Sequence, residues 1–229
     1  MAKAVLILSG GLDSTTLMYD LLNKGIEVHA ISFFYGQKHS KELECAHALC
    51  DKLNVPHKII DLDVLNDIAP CALTRSEIEV PEGQYDSDNM KVTVVPNRNM
   101  IMLALATAYA ISIGANYVAY GAHAGDHTIY PDCRPKFVKH MTDAIASCDW
   151  SKVELLVPYL YMTKGEIVKV GLSLGVDYSS TWTCYKGGDK ACGKCGSCIE
   201  RLEAFAFANA VDPIEYETTE EETTEEESE

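Results

Sequence analysis

The sequence predicts an α/β fold, a doubly wound and mostly parallel sheet followed by a small segment with four cysteines. Three observations lead there. From Lys3 to Leu174 short apolar runs alternate with stretches of helical periodicity, the pattern of strands and covering helices in a parallel sheet. The first run ends in Ser9-Gly10-Gly11, a tight passage from strand to helix. A chain of 229 residues, 47% of them apolar, is long enough for one such domain with a small appendage.

The elements follow in order. Lys3 to Leu8 is a strand, and Ser14 to Asn23 has the apolar spacing of a helix, closed by Gly25. Ile26 to Phe34, Ser40 to Asn54 and Pro56 to Leu62 repeat the theme as strand, helix and strand. From about Asn66 to Lys91 the alternation stops, and Pro70, Pro81, Gly83 and a polar run around Asp86 predict a mobile insertion of the kind that closes over ligands. Asn99 to Ile113 is an Ala-rich helix, Tyr117 to Tyr120 a strand, and Phe137 to Cys148 an amphipathic helix. Val153 to Val157 and Lys164 to Leu174 add a last strand and helix. The organisation expected is a catalytic domain over 1–180, a cysteine segment with a final helix over 181–211, and an acidic tail over 212–229.

The formal charge is −15, but nine Glu and no Lys or Arg lie between Glu215 and Glu229, which leaves −6 for the rest. That tail repels itself and is expected to be a disordered, solubilising extension. The mildly acidic body lacks the basic face of a stable nucleic-acid binder. No run is long and apolar enough for a membrane span, and Met1 to Leu8 lacks the core of a signal peptide, so a cytoplasmic protein is expected. Cys45, Cys50, Cys71, Cys133 and Cys148 are then read as reduced thiols.

Glycines placed directly after a buried strand let backbone N–H groups converge on an anion, because no Cβ blocks the approach. Ser9 and Ser14 add hydroxyls to Gly10 and Gly11. The string lacks the Gly-Lys-Ser/Thr ending of a Walker loop, which disfavours γ-phosphate transfer. It resembles instead the SGGxDS signature of the PP-loop ATP pyrophosphatases. That resemblance implies a nucleotide-binding fold that holds the pyrophosphate of ATP while an acid attacks the α-phosphorus, with magnesium on the phosphates. Ser9, Gly10, Gly11, Leu12, Asp13 and Ser14 become the nucleotide loop, with Asp13 either supporting it or assisting the metal. Phe33, at the end of the second strand, is expected beside adenine.

Cys184, Cys192, Cys195 and Cys198 are spaced C-x7-C-x2-C-x2-C among Gly187, Gly188, Gly193 and Gly196. Four thiolates suit tetrahedral zinc, and a site filled by four protein ligands is structural. A disulfide, an iron–sulfur cluster and plain free thiols are the competing explanations.

Three further strings narrow the reading: Phe34-Tyr35-Gly36-Gln37-Lys38-His39, Val95-Pro96-Asn97-Arg98-Asn99, and Gly121 to His127 leading into Tyr130-Pro131-Asp132-Cys133-Arg134-Pro135. With the loop and the cysteines they resemble the 7-cyano-7-deazaguanine synthase family over nearly all of Lys3 to Ala208. The resemblance implies conversion of 7-carboxy-7-deazaguanine and ammonia to the nitrile through adenylated acid and amide, releasing AMP and pyrophosphate. Zinc on the four cysteines and ATP with magnesium are the implied cofactors. The implied partners are the 7-deazapurine and ammonia, and a homodimer fits a chain of this kind although no apolar stripe marks an interface.

Asp132 is the expected acceptor for the N–H edge of the base and Tyr130 a ring to stack on it. Arg98, Arg134 and Lys164 are candidates to hold the substrate carboxylate or the phosphates, and His39, His123 and His127 are candidate proton carriers. Two rival readings are another adenylating amide synthetase or tRNA-modifying enzyme of the superfamily, and a noncatalytic nucleotide-binding module.

Overall fold

Among the described residues five parallel strands make one sheet in the order β3-β2-β1-β4-β5: β1 Lys3–Ile7, β2 Glu27–Phe34, β3 His57–Asp61, β4 Tyr117–Ala119 and β5 Glu154–Leu156. The computed structural model describes residues 1–37, 40–74 and 88–217. Among the described residues seven α-helices surround the sheet: α1 Leu12–Asn23, α2 Lys41–Leu53, α3 Val64–Ile68, α4 Arg98–Ser112, α5 Pro135–Ser147, α6 Lys164–Ser173 and α7 Gly196–Phe207.

Because side chains alternate across a strand, β1 feeds two cores. Ala4 and Leu6 pack with Leu17 and Leu21 of α1, Leu49 of α2, Ile167 of α6 and Phe205 of α7. Val5 faces the other way, toward Leu103 and Ala106 of α4 and Val138 and Ile145 of α5. The sheet is thus covered on both faces, which is why its central strands read as unbroken apolar runs. The chain builds outward from β1 to β3 and then returns to lay β4 on the opposite side of β1. That reversal leaves a crevice at the carboxyl ends of β1 and β4, where ligands bind in open α/β sheets.

Element limits differ from the sequence reading in ways that have local causes. α5 begins at Pro135 rather than Phe137, since proline is suited to a first helical position. The predicted mobile insertion contains, in its described parts, the end of α3 and a 3₁₀ turn over Asp88–Thr93, while residues 75–87 lie outside the described residues. Lys38 and His39 lie outside them too.

Of the expected tail, 218–229 lie outside the described residues, but Asp212 to Glu217 are packed against the cysteine segment. The fully buried Arg201 donates from Nε and Nη2 to Asp212 at 2.7 and 2.9 Å, and Tyr216 donates to the same carboxylate at 2.6 Å. Tyr216 also forms a bridge with Ala191. No helix among the described residues is long and apolar enough to cross a membrane.

Candidate active site

The loop Ser9 to Ser14 closes on itself at the carboxyl end of β1. Ser9 and Ser14 hydroxyls lie 3.0 Å apart, the N–H of Ser9 donates to Ser14 Oγ at 3.2 Å, and the N–H of Gly11 donates to Ser9 Oγ at 3.2 Å. Gly10 has φ +87°, and a Cβ there would stand 2.0 Å from the carbonyl oxygen of Glu42, so only glycine fits. The carbonyl of Gly10 accepts from the N–H of Trp182 at 3.1 Å, tying the loop to the strap that leads into the cysteine segment. α1 starts at Leu12, with Gly11 as an N-cap that offers no side-chain acceptor, which leaves its first N–H groups to an anion.

Around this loop the residues from β1, β2, α2, α4, the β4 end and the cysteine segment line a cavity of about 240 Å³. Ser9, Gly11, Leu12, Asp13, Ser14, Phe33, Arg98, Tyr130 and Lys164 all line it; Gly10 lies beneath, and Asp132 and Arg134 are not in its wall.

One end of the cavity is a charged cluster. Thr163 and Glu166 cap α6 reciprocally, which fixes Lys164 at its first turn. Lys164 is 8% exposed, and its ammonium lies 2.5 Å from Glu200 on α7 and 3.5 Å from Asp13. Burial disfavours its charge, but the carboxylates of Asp13, Glu200 and Asp126 outweigh that and hold it firmly protonated. Glu200 is itself pushed up by burial, against the pull of Lys164. His123, almost fully buried, accepts the Gly125 N–H on Nδ1 at 3.1 Å, so Nε2 carries the proton in the neutral ring. That nitrogen faces Asp13 at 3.6 Å and Asp126 at 3.7 Å. Oδ1 of Asp13 is buried with no partner among the described residues, leaving an oxygen ready for a metal-bound or donor-bearing ligand.

The other end is aromatic and cationic. Arg98 opens α4 after Asn97, whose φ of +62° is tolerated by asparagine. Its guanidinium donates to the Tyr35 hydroxyl at 3.2 Å and lies over the rings of Tyr35 and Tyr130, 5.5 and 5.8 Å from their centroids. Burial disfavours that charge, and Tyr35, Tyr130 and Asp132 restore it. The Tyr130 hydroxyl is held by Thr93 at 3.3 Å and Tyr185 at 3.2 Å. Asp132 Oδ2 accepts the N–H of Asn99 at 3.0 Å, so this carboxylate caps α4 from outside the cavity and complements its dipole. Arg134 is exposed and donates to the carbonyls of His127 at 2.7 Å and Thr128 at 3.2 Å, stapling the preceding loop.

Sequence reasoning passed over Glu42, Glu200 and Asp126. Glu42 sits in the first turn of α2, where an acidic residue reads only as dipole compensation. Its carboxyl lines the cavity and is pushed up to about 7 by burial, with Arg98 opposing and Cys184 adding. Glu200 hides in an ordinary amphipathic helix directly after the cysteines.

The four cysteines are buried, and their sulfurs all lie within 4.8 Å of one another. Backbone N–H groups of Cys192, Lys194 and Cys195 point at the sulfurs of Cys184 and Cys192 at 3.3–3.4 Å, a donor set that favours thiolates. Tetrahedral zinc at about 2.3 Å from sulfur needs sulfurs about 3.8 Å apart, and Cys195–Cys198 at 3.4 Å and Cys192–Cys198 at 4.0 Å bracket that value. The residues fit a four-sulfur metal site. All four are free thiols rather than disulfides.

The sequence profile described as "Queuosine biosynthesis protein QueC" matches residues 3–209. The 7-cyano-7-deazaguanine synthase of Methanoregula boonei is 62% identical over 94% of this chain and 99% of its own length. That of Caldicellulosiruptor saccharolyticus is 60% identical over 94% of this chain and 96% of its own. Among solved structures, the U34-tRNA thiolase NcsA of Methanococcus maripaludis with its [4Fe-4S] cluster superposes with a TM-score of 0.51 at 15% identity, over 91% of this chain and 70% of that one. A 4-thiouridine synthetase in an RNA complex with bound ATP gives 0.50 at 17% identity, over 91% and 52%. The two structures share the fold, whereas the profile over residues 3–209 and the relatives at 60–62% identity show the family: the chain belongs to the QueC family of 7-cyano-7-deazaguanine synthases.

Proposed function

We propose that the chain converts 7-carboxy-7-deazaguanine and ammonia to 7-cyano-7-deazaguanine with ATP, releasing AMP and pyrophosphate. The observation that carries this is a self-bonded phosphate loop at the sheet's switch point, facing Lys164 across Asp13, in a chain of this family. A carboxylate is a poor electrophile. Attack of its oxygen on the α-phosphorus expels pyrophosphate and leaves AMP as a leaving group, which ammonia displaces to give the amide. Adenylation of the amide oxygen then lets the C–O bond break as the nitrogen gives up its two protons, forming the nitrile.

The residues divide this work by position. Backbone N–H groups of Gly10 to Ser14 and the two serine hydroxyls receive the pyrophosphate. Lys164 is held at the phosphate end by Glu200 and Asp13 to neutralise charge that develops there. Magnesium, which Asp13 would help to hold, would supply further neutralisation of the phosphates. Phe33 offers its ring to adenine, and Arg98 offers donors to the substrate carboxylate. Tyr130 stands beneath the heterocycle; Asp132 keeps α4 and hence Arg98 in place, and Arg134 keeps the loop before Tyr130 in place. Zinc on Cys184, Cys192, Cys195 and Cys198 would fix the C-terminal segment and take no part in bond making. A homodimer and a cytoplasmic location complete the proposal.

The test is mass spectrometry of products after incubation with the acid, ATP, magnesium and ammonium, following AMP and pyrophosphate in parallel. Nitrile with AMP is expected. Pyrophosphate released only with some other acid would keep adenylation and remove this substrate.

A further inference from the structure

A guanine-like substrate exposes an N–H and an adjacent amino group on one edge, and a carboxylate is the side chain that accepts from both. Asp132, the carboxylate that sequence reasoning assigned to that edge, is outside the cavity wall and spends Oδ2 on the N terminus of α4. Among the described residues of the wall, the carboxylates are Asp13, Glu42 and Asp126. Asp13 and Asp126 belong to the phosphate end, where His123 faces both and Asp13 meets Lys164.

Glu42 differs from both. It lines the cavity from the first turn of α2, and among the described residues it makes no ion pair with Lys164 or His123. Among the described residues no donor bonds its side chain, although the residue is half-buried. An acceptor on the wall of a cavity that no neighbouring group uses is free to take the donors of a ligand. Its backbone is fixed on two sides: the carbonyl of Glu42 abuts Gly10, and the neighbouring Lys41 is anchored to the carbonyls of Gly188 and Asp189 and over the Trp182 ring. The backbone that carries Glu42 is therefore held in place before any ligand arrives, which limits where its side chain can reach.

We propose that Glu42 is the residue that reads the base, its two carboxylate oxygens accepting from the ring N–H and the exocyclic amino group of the 7-deazaguanine, while Arg98 holds the carboxylate on the opposite side of the heterocycle. This rests on the substrate proposed above. A site built to accept a donor from its substrate discriminates strongly against the analogue that lacks it.

The experiment compares wild type with Glu42→Gln, both as zinc-loaded full-length protein, on two substrates: 7-carboxy-7-deazaguanine and its analogue without the exocyclic amino group. For Glu42→Gln the KM for the first substrate should rise by about 10- to 100-fold, the loss expected for a charge-assisted hydrogen bond. The KM for ATP should change by less than about twofold. Wild type should prefer the amino-bearing substrate by at least about tenfold, and Glu42→Gln should lose most of that preference. Equilibrium binding of the two compounds to each protein gives a second reading that does not depend on turnover. An unchanged preference in Glu42→Gln, or a rise confined to the KM for ATP, overturns the assignment of Glu42 while leaving the reaction intact. Wild type that ignores both compounds and turns over a different acid overturns the substrate and this proposal together.

Discussion

At Gly10 backbone conformation and contact coincide: a positive φ and a carbonyl oxygen where Cβ would be. Gly10→Ala should cost about 2 kcal/mol or more of unfolding free energy, and should weaken ATP binding because α1 and α2 are forced apart at the loop. Chemical denaturation and nucleotide titration read the two effects separately. Lys164 carries a different burden, since its removal strands Glu200 and Asp13 beside one another. Lys164→Met should lower kcat/KM for pyrophosphate release by about 100-fold and stability by about 3 kcal/mol. A variant that kept full turnover would remove Lys164 from the phosphate end. The loop and the four cysteines were legible as groups because the residues that come together there are contiguous or closely spaced in sequence. The bond from the N–H of Asn99 to Asp132 was not legible, because Asn99 lies far upstream in sequence and meets that carboxylate only after α4 has packed. Glu42 was invisible for the same reason, a first-turn acid like many others until the cavity forms around it.

Secondary structure was easiest to read where both faces of an element are covered, as in β1 and β2, whose apolar runs leave no alternative. It was hardest for α3 and the 3₁₀ turns, five residues or so held by tertiary contacts rather than by their own periodicity. Two buried polar contacts between elements carry predictions. Arg201 of α7 is sealed by Asp212, Thr181 and Thr183, and Asp212→Asn should free the stretch after α7, seen as faster proteolysis there at a cost of about 3 kcal/mol. Between β2 and β3, Ser32 Oγ donates to the carbonyl of Leu8 at 2.5 Å, and His57 Nε2 therefore donates to Ser32 at 2.7 Å. Burial, aided by His47 and opposed by Asp51, holds the His57 imidazole below its ordinary value of 6.5. The unfolded chain thus binds more protons, so this contribution is complete above 6.5 and is lost as pH falls from 6.5 through the lowered folded value. Urea midpoints should fall between about pH 7.5 and 5.5 in wild type and fall less in His57→Gln.

Across the whole molecule the phosphate loop and the cysteine segment are one mechanical unit. Trp182 bonds Gly10, Lys41 lies over Trp182, and α7, which starts beside Cys195, carries the Glu200 that holds Lys164. Cys195→Ser should lose zinc and, with it, ATP affinity, while far-ultraviolet circular dichroism of the sheet domain changes little. Retained zinc at wild-type stoichiometry would contradict the four-sulfur site.

The bond from Trp182 to Gly10 also has a consequence for the order of synthesis. The loop leaves the ribosome about 170 residues before its clamp, which at about 5–20 residues per second is a wait of roughly 10–35 s. During translation the nascent sheet can assemble with its nucleotide pocket still unlatched. Nucleotide affinity is then expected to rise once the strap around Trp182 has been made, and a chain that stops short of it should bind ATP more weakly.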